Sequence, residues 1–129
     1  MPESHAFPSD VESFIAYCID SVEQVEILLL LSSAPEKHWT LDAISQHLRS
    51  SRRSVTLRVN SLIAHGLVAQ DDASFHYAAS SDDDVLVKRL AAVYEERRTA
   101  VIDRIFAEQH DPMRSFADAF RFKEGESDA

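Results

Sequence analysis

The sequence has little glycine and cysteine, and it lacks long apolar runs. Its 129 residues include two Gly and one Cys, which argues against a Gly-rich phosphate-binding loop and excludes an internal disulfide. No uninterrupted apolar run approaches the about 20 residues of a transmembrane helix, and no basic segment followed by an apolar one opens the chain. We therefore expect a helical, cytoplasmic protein that does not associate with a membrane.

Acidic residues outnumber basic ones, 22 to 13, but the charge is distributed unevenly. The acids prevail in residues 1–20 and 80–129. In contrast, the segment Gln46–Gln70 contains no acid and four arginines, which are Arg49, Arg52, Arg53 and Arg58. A solvated surface is the simplest explanation for isolated arginines. A cluster of four within ten residues instead favours contact with a polyanion such as a nucleic acid.

Helical spacing of apolar residues predicts three helices before this cluster. Ser9 and Glu12 form a capping box that starts the first helix. A second box, Ser21 with Gln24, predicts a kink or a new start, although one continuous helix is also compatible with the pattern. The residues that follow are apolar nearly all round, so this helix should be central and buried. A short extended pair, Trp39–Thr40, precedes the third helix.

The second half of the chain predicts a helix, a hairpin and a long helix. After a polar turn, a helix spans Arg52–His65, and Gly66 ends it as a left-handed residue. Two β-prone runs within residues 67–78 predict a hairpin. One continuous helix is then expected from Ser81 to about residue 108, and a last helix follows Pro112, with Phe116 and Phe120 on one side.

This order of elements is the winged helix-turn-helix arrangement. The stretch Trp39–Tyr77, in particular SSRRSVTLRVNSLIAHGLV, resembles the winged-helix domain of bacterial MarR-like and PadR-like transcriptional regulators. The resemblance implies a mainly α fold with a two-stranded wing and a long C-terminal dimerisation helix, and a homodimer that binds double-stranded DNA. The chain then divides into an N-terminal helix (1–20), a winged helix-turn-helix domain (21–79), a C-terminal helical dimerisation region (80–123) and a disordered acidic tail (124–129).

In this arrangement the helix Arg52–His65 enters the major groove. At 100° per residue, its apolar positions point inward, and those expected to face outward are Arg53, Leu57, Asn60, Ser61 and Ala64. Arg52, Ser54 and Thr56 are expected at its exposed N-terminal end. Arg pairs with guanine and Asn with adenine, whereas Ser and Thr contact phosphates or bases. The predicted DNA-binding residues, including one from the wing, are Arg49, Ser51, Arg52, Arg53, Ser54, Thr56, Leu57, Asn60 and His76.

Two features favour an alternative function, a winged helix that binds another protein and not DNA. The predicted wing tip carries Asp71 and Asp72, which repel phosphates. Leu57 is unusual on an exposed reading surface, where it contacts either a thymine methyl group or a protein. A third hypothesis is a regulator that senses a small molecule of unknown identity in a pocket lined by aromatic residues, Tyr94, Phe106 and Phe116.

Catalysis and metal binding have little support in the sequence. The six histidines show no paired i,i+4 spacing, and no nucleophile motif is present. Cys18 lies on the apolar stripe of the first helix and is expected to be a small buried hydrophobe. We predict no catalytic residue, no metal site and no cofactor.

Overall fold

The computed structural model describes residues 8–110 of the chain, and the side chains of residues 8–107. This part forms six helices and three short strands. In chain order they are α1 (Ser9–Cys18), α2 (Val22–Ser32), β1 (Trp39–Thr40), α3 (Leu41–Leu48), α4 (Arg52–Ala64), β2 (Val68–Asp71), β3 (Ser74–Tyr77), α5 (Ser81–Glu96) and α6 (Arg98–His110). The predicted mainly α winged-helix class is confirmed. The predicted helix after Pro112 and the tail 124–129 lie outside the described residues.

The central helix α2 is buried as predicted. Val25, Ile27, Leu28 and Leu31 have no exposed surface, because an apolar residue occurs on every side of this helix. The Ser21 hydroxyl accepts the Gln24 N–H at 3.1 Å, so α2 starts anew after α1 and does not continue it. None of the helices within residues 8–110 has the length and apolar content needed to cross a bilayer.

The predicted capping box at Ser9 is wrong. Helix α1 begins one residue earlier than expected, with Pro8 as its N-cap and without a side-chain cap. Ser9 is therefore already helical, while the Pro8 carbonyl accepts the Glu12 N–H at 2.9 Å. Pro8 has the extended backbone that its ring favours, which suits a residue just before a helix.

The turn between α3 and α4 contains an unusual backbone conformation. Arg49 has φ 56° and ψ 41°, in the left-handed region that favours glycine. The turn is held because the Ser50 N–H donates to the Ser45 carbonyl at 3.0 Å. Ser51 then caps α4, since its hydroxyl accepts the Ser54 N–H at 3.1 Å. At the other end of α4, Gly66 has φ 75°, as predicted.

The sheet contains one strand more than the predicted two-stranded wing. β2 and β3 form the expected hairpin, and β1 adds to the other edge of β3, giving the order β1-β3-β2. Trp39 pairs with Phe75 across β1 and β3, and both side chains are buried. The extended pair Trp39–Thr40 therefore forms a strand, because it pairs with the edge of β3 that lies opposite β2.

The prediction of one unbroken helix after Ser81 is wrong. The helix is interrupted at Arg97, which has φ −136° and ψ 55°, between α5 and α6. The interruption lets α6 pack against α1, where Val101 and Ile105 are almost completely buried. An ion pair between Arg104 and Glu12 joins the same two helices. A straight helix would carry these apolar residues away from the core.

Candidate nucleic-acid interface

Helix α4 has the two-sided character predicted for it. Val55, Val59 and Leu62 are fully buried, and the exposed positions on the opposite side include Arg53, Leu57, Asn60 and Ala64. Leu57 is 58% exposed. Ser61 is the exception to the prediction, because it is half-buried and its hydroxyl accepts a hydrogen bond from Gln24 Nε2 at 3.1 Å.

The arginine cluster is free of acids in sequence but not in space. Helix α3 brings Asp42 to Arg52, with 3.2 Å between the Asp42 carboxylate and Arg52 Nε. Helix α2 brings Glu23 to Arg58, with 3.3 Å between the Glu23 carboxylate and Arg58 Nε. The first pair is well exposed, whereas the second is largely covered. Two of the four cations are therefore balanced by carboxylates from other helices.

Arg49 and Arg53 are exposed cations of the cluster that have no carboxylate partner among the described residues. Within residues 8–110, neither forms an ion pair. Arg53 lies in the first turn of α4, and Arg49 lies in the turn before it. Since both guanidinium groups are in solvent at the same end of the helix, this end presents the positive charge that a polyanion requires.

The hydroxyl residues predicted to bind DNA have partners within the fold. Ser51 caps α4, and the Thr56 hydroxyl donates to the Arg52 carbonyl at 2.7 Å. The Ser54 hydroxyl donates to the Glu23 carboxylate, and Ser54 is half-buried, so the prediction that it is exposed is wrong. Thr56 remains on the exposed side, where its hydroxyl oxygen still has accepting capacity.

No local sequence pattern singles out Glu23, although this residue has several partners in the fold. Burial opposes its charged form, but hydrogen bonds from Ser50, Ser54 and Arg58, together with the charge of Arg58, hold the pKa of its carboxyl below the ordinary value. These partners lie about 30 residues away in sequence. No local pattern reveals such a contact, because it depends on how α2 crosses α4.

The wing carries the acidic tip that the sequence predicted. Asp71 and Asp72 are exposed, and Asp72 has φ 56°, a left-handed conformation that Asp tolerates better than most residues. His76, predicted to bind DNA, is half-buried on β3 and stacks on His38 with ring centroids 4.5 Å apart. Its Nδ1 is buried without a hydrogen-bond partner among the described residues.

The pocket hypothesised around aromatic residues does not form from the described side chains. Tyr94 lines a groove of about 480 Å³ with Glu26, Leu29, Leu30, His47 and Leu48, and its hydroxyl donates to Glu26 at 2.9 Å. Phe106 does not line this groove and is 52% exposed. Phe116 lies outside the described residues.

Cys18 is buried, as expected from its position on the apolar stripe of α1. Burial raises the pKa of its thiol to about 11, and the nearby carboxylates of Asp83 and Asp20 add to the effect. A thiol of this kind is protonated at neutral pH and reacts slowly. Among residues 8–110, no three His, Cys, Asp or Glu side chains are grouped as a metal site would require.

Solved structures share the fold of this chain. A MarR family protein of Mycobacterium tuberculosis, Rv2887, matches with a TM-score of 0.52 and 18% identity, over 91% of this chain and 83% of Rv2887. MepR, a transcription regulator of the Staphylococcus aureus multidrug efflux pump MepA, matches with a TM-score of 0.53 and 14% identity, over 95% of this chain and 93% of MepR. The chain thus has the winged-helix fold of MarR-family regulators. No protein-family model matches the sequence, and no curated protein matches it.

Proposed function

We propose that this chain is a transcription regulator that binds double-stranded DNA with the exposed side of α4 in the major groove. The observation that carries this proposal is the position of two exposed, unpaired arginines, Arg49 and Arg53, at the N-terminal end of α4 within the described part of the chain. In helix-turn-helix proteins this end of the second helix meets the base edges. The shared fold of MarR-family regulators supports the same conclusion.

The exposed side chains suggest a division of labour on the duplex. Arg53 is suited to a guanine and Asn60 to an adenine, since each side chain matches the hydrogen-bonding edge of that base. Arg49, in the turn, is suited to a phosphate. Arg52 contributes only after it exchanges the exposed Asp42 carboxylate for a phosphate, a change of small cost because surface ion pairs are weak.

We further propose that the protein acts as a homodimer joined through the unit of α1 and α6. These helices pack on each other and expose large apolar side chains, Tyr17 on α1 at 80% and Phe106 on α6 at 52%. Exposed apolar surface of this kind is typical of protein interfaces. A two-fold dimer requires two DNA half-sites separated by one helical turn or a multiple of it.

Selection of bound duplexes from a random library, followed by fluorescence anisotropy on the selected sequence, tests DNA binding. The variant Arg49→Ala/Arg53→Ala should lower affinity by about 100-fold, since it removes two cationic contacts of roughly 1–3 kcal/mol each. The matched control, Lys88→Ala/Arg98→Ala, removes the same charge from α5 and α6 and should bind nearly as the unmodified protein does. Equal affinity of the two variants would contradict the assignment of α4.

The alternative function, a protein-binding module, predicts a different response to salt. Its supporting observations are the exposed Leu57 and the acidic wing tip. DNA binding through phosphates weakens steeply with added salt, because each neutralised phosphate releases counterions. A duplex affinity that hardly changes with salt, or that is unmeasurable at low salt with the protein fully folded, would favour the protein-binding module.

The proposed dimer is tested by sedimentation equilibrium. The unmodified protein should have twice the monomer mass of 14.5 kDa, and Phe106→Asp should shift the equilibrium to monomer because a charge at an apolar interface is costly. Val85 on α5 is a large apolar side chain that is 57% exposed, so Val85→Asp serves as the control. A monomeric unmodified protein at micromolar concentration would contradict the dimer.

A further inference from the structure

Two consecutive residues at the start of α2 hold one flank of α4. Glu23 accepts hydrogen bonds from the Ser54 hydroxyl and from Arg58 Nε. Gln24 is fully buried, and its Nε2 donates to the Ser61 hydroxyl and to the Cys18 carbonyl, the latter at 2.9 Å. We call these five side chains, which connect α2 with α4, the clasp: Glu23, Gln24, Ser54, Arg58 and Ser61.

The clasp residues of α4 lie on one flank of the helix. Ser54, Arg58 and Ser61 are spaced by four and three residues, so they follow one another along a single line. This line runs between the buried side of α4 and the exposed side with Arg53 and Asn60, at 100° per residue. All three side chains are half-buried. The flank is therefore adjacent to the proposed DNA surface but is directed towards α2.

The clasp withdraws one cation of the arginine cluster from solvent. The side chain of Arg58 is 35% exposed and that of Glu23 is 20% exposed, whereas Arg52 and its partner Asp42 are 67% and 62% exposed. Screening by water is weaker at the covered pair, so a phosphate competes less well for Arg58 than for Arg52. A second hydrogen bond, from Ser54, further occupies the Glu23 carboxylate.

We propose that Glu23 is a positioning residue that limits sequence-independent binding by α4, because it holds Arg58 away from the phosphate backbone. The inference rests on the proposed function. Contacts to phosphates strengthen binding to every sequence equally, and they carry no information about bases. Keeping the fourth arginine out of these contacts weakens binding to unrelated DNA and leaves discrimination to Arg53 and Asn60.

The central experiment compares Glu23→Gln with the unmodified protein on the selected duplex and on an unrelated duplex, over a range of salt concentrations. Gln has nearly the same size but no charge, so Arg58 is released. We expect affinity for the unrelated duplex to rise about three- to tenfold, and the slope of log affinity against log salt to become steeper by about one contact. Affinity for the selected duplex should rise by a similar factor, because contacts to phosphates do not depend on sequence, so the ratio of the two affinities should stay level.

Two further variants test whether Arg58 causes the change. In Glu23→Gln/Arg58→Gln the gain in affinity and the steeper salt slope should both disappear. Arg58→Gln alone should leave DNA affinity nearly unchanged, because the guanidinium is not at a phosphate in the unmodified protein. The matched control is Glu26→Gln, which removes the same charge one turn further along α2, where the partners are Tyr94 and Arg98.

The results separate the clasp from the proposed function. If Arg53→Ala weakens binding but Glu23→Gln changes neither the affinity nor the salt slope, the inference about Glu23 is wrong and the proposed function stands. The inference is also wrong if Arg58→Gln alone weakens binding as much as Arg53→Ala. If no variant and no salt concentration shows duplex binding, the proposed function fails and the proposed role of Glu23 fails with it.

Discussion

Helix α4 and the wing are neighbours in the fold but carry opposite charge. The N-terminal end of α4 exposes Arg49 and Arg53, whereas the wing tip exposes Asp71 and Asp72. In the complex that we propose, both elements approach the duplex, so we expect attraction to be concentrated on α4 and the wing to oppose close approach. We infer that such a protein binds non-specific DNA weakly and depends on few contacts.

Reversing the charge on α4 should have the largest effect. Arg53→Glu replaces an attractive contact with a repulsive one, and it makes α4 resemble the wing. We expect duplex affinity to fall about 100-fold or more, because a good arginine contact contributes roughly 1–3 kcal/mol and the new carboxylate adds repulsion. The measurement is anisotropy at low salt, with Lys88→Glu on α5 as the control. If Arg53→Glu and Lys88→Glu lower duplex affinity equally, α4 does not attract the duplex more than the rest of the surface does, and the contrast between α4 and the wing is wrong.

Neutralising the wing tip should raise duplex affinity, and this change should be smaller than the loss caused by Arg53→Glu. Asp71→Asn/Asp72→Asn removes two repulsive charges, and Asn tolerates the left-handed conformation of position 72. We expect affinity to rise about tenfold at low salt, equally for related and unrelated sequences, and the gain to shrink as salt screens the charges. An unchanged affinity would mean that the wing tip remains far from the backbone of DNA.

Arg49→Gly separates the stability of the turn from its charge. Glycine removes the strain of a left-handed residue, so the free energy of unfolding should rise by about 1 kcal/mol. Loss of the cation should lower duplex affinity about fivefold, the size expected for one phosphate contact. Thermal unfolding and anisotropy on the same sample give both values, and Arg49→Ala, which loses the charge but keeps the strain, is the control. A gain in stability without any loss of affinity would exclude Arg49 from the interface.

The smallest effect is expected at Leu57. Because this side chain is largely exposed, Leu57→Ala should change stability by less than about 0.5 kcal/mol. If Leu57 contacts a thymine methyl group, affinity should fall about threefold for the selected duplex and not for one in which uracil replaces that thymine. Equal losses on both duplexes would argue against this contact.

The helices and the hairpin were predictable because their signals are local. The spacing of Val55, Val59 and Leu62 identifies the buried side of α4, and Gly66 marks its end, as the structure confirms. The interruption at Arg97 carries no Pro or Gly signal. It accompanies the packing of Val101 and Ile105 against α1, a long-range contact that no local pattern reveals.

The candidate site was predictable only in part, because contacts between helices leave no local signal in the sequence. Local sequence placed four arginines on or beside one helix without an acid among them. The crossing of α2 and α3 over α4 then brought Glu23 to Arg58 and Asp42 to Arg52. Ser54 likewise changed from an expected exposed contact to a partner of Glu23.

By itself, the sequence determined which residues form α4, which of its sides is apolar and where its cations lie, because helical periodicity and charge are properties of neighbouring residues. Only the tertiary structure decided which of those cations remain without a carboxylate partner among the described residues. Ion pairs depend on distances between helices, and these distances are set by the packing of the whole core.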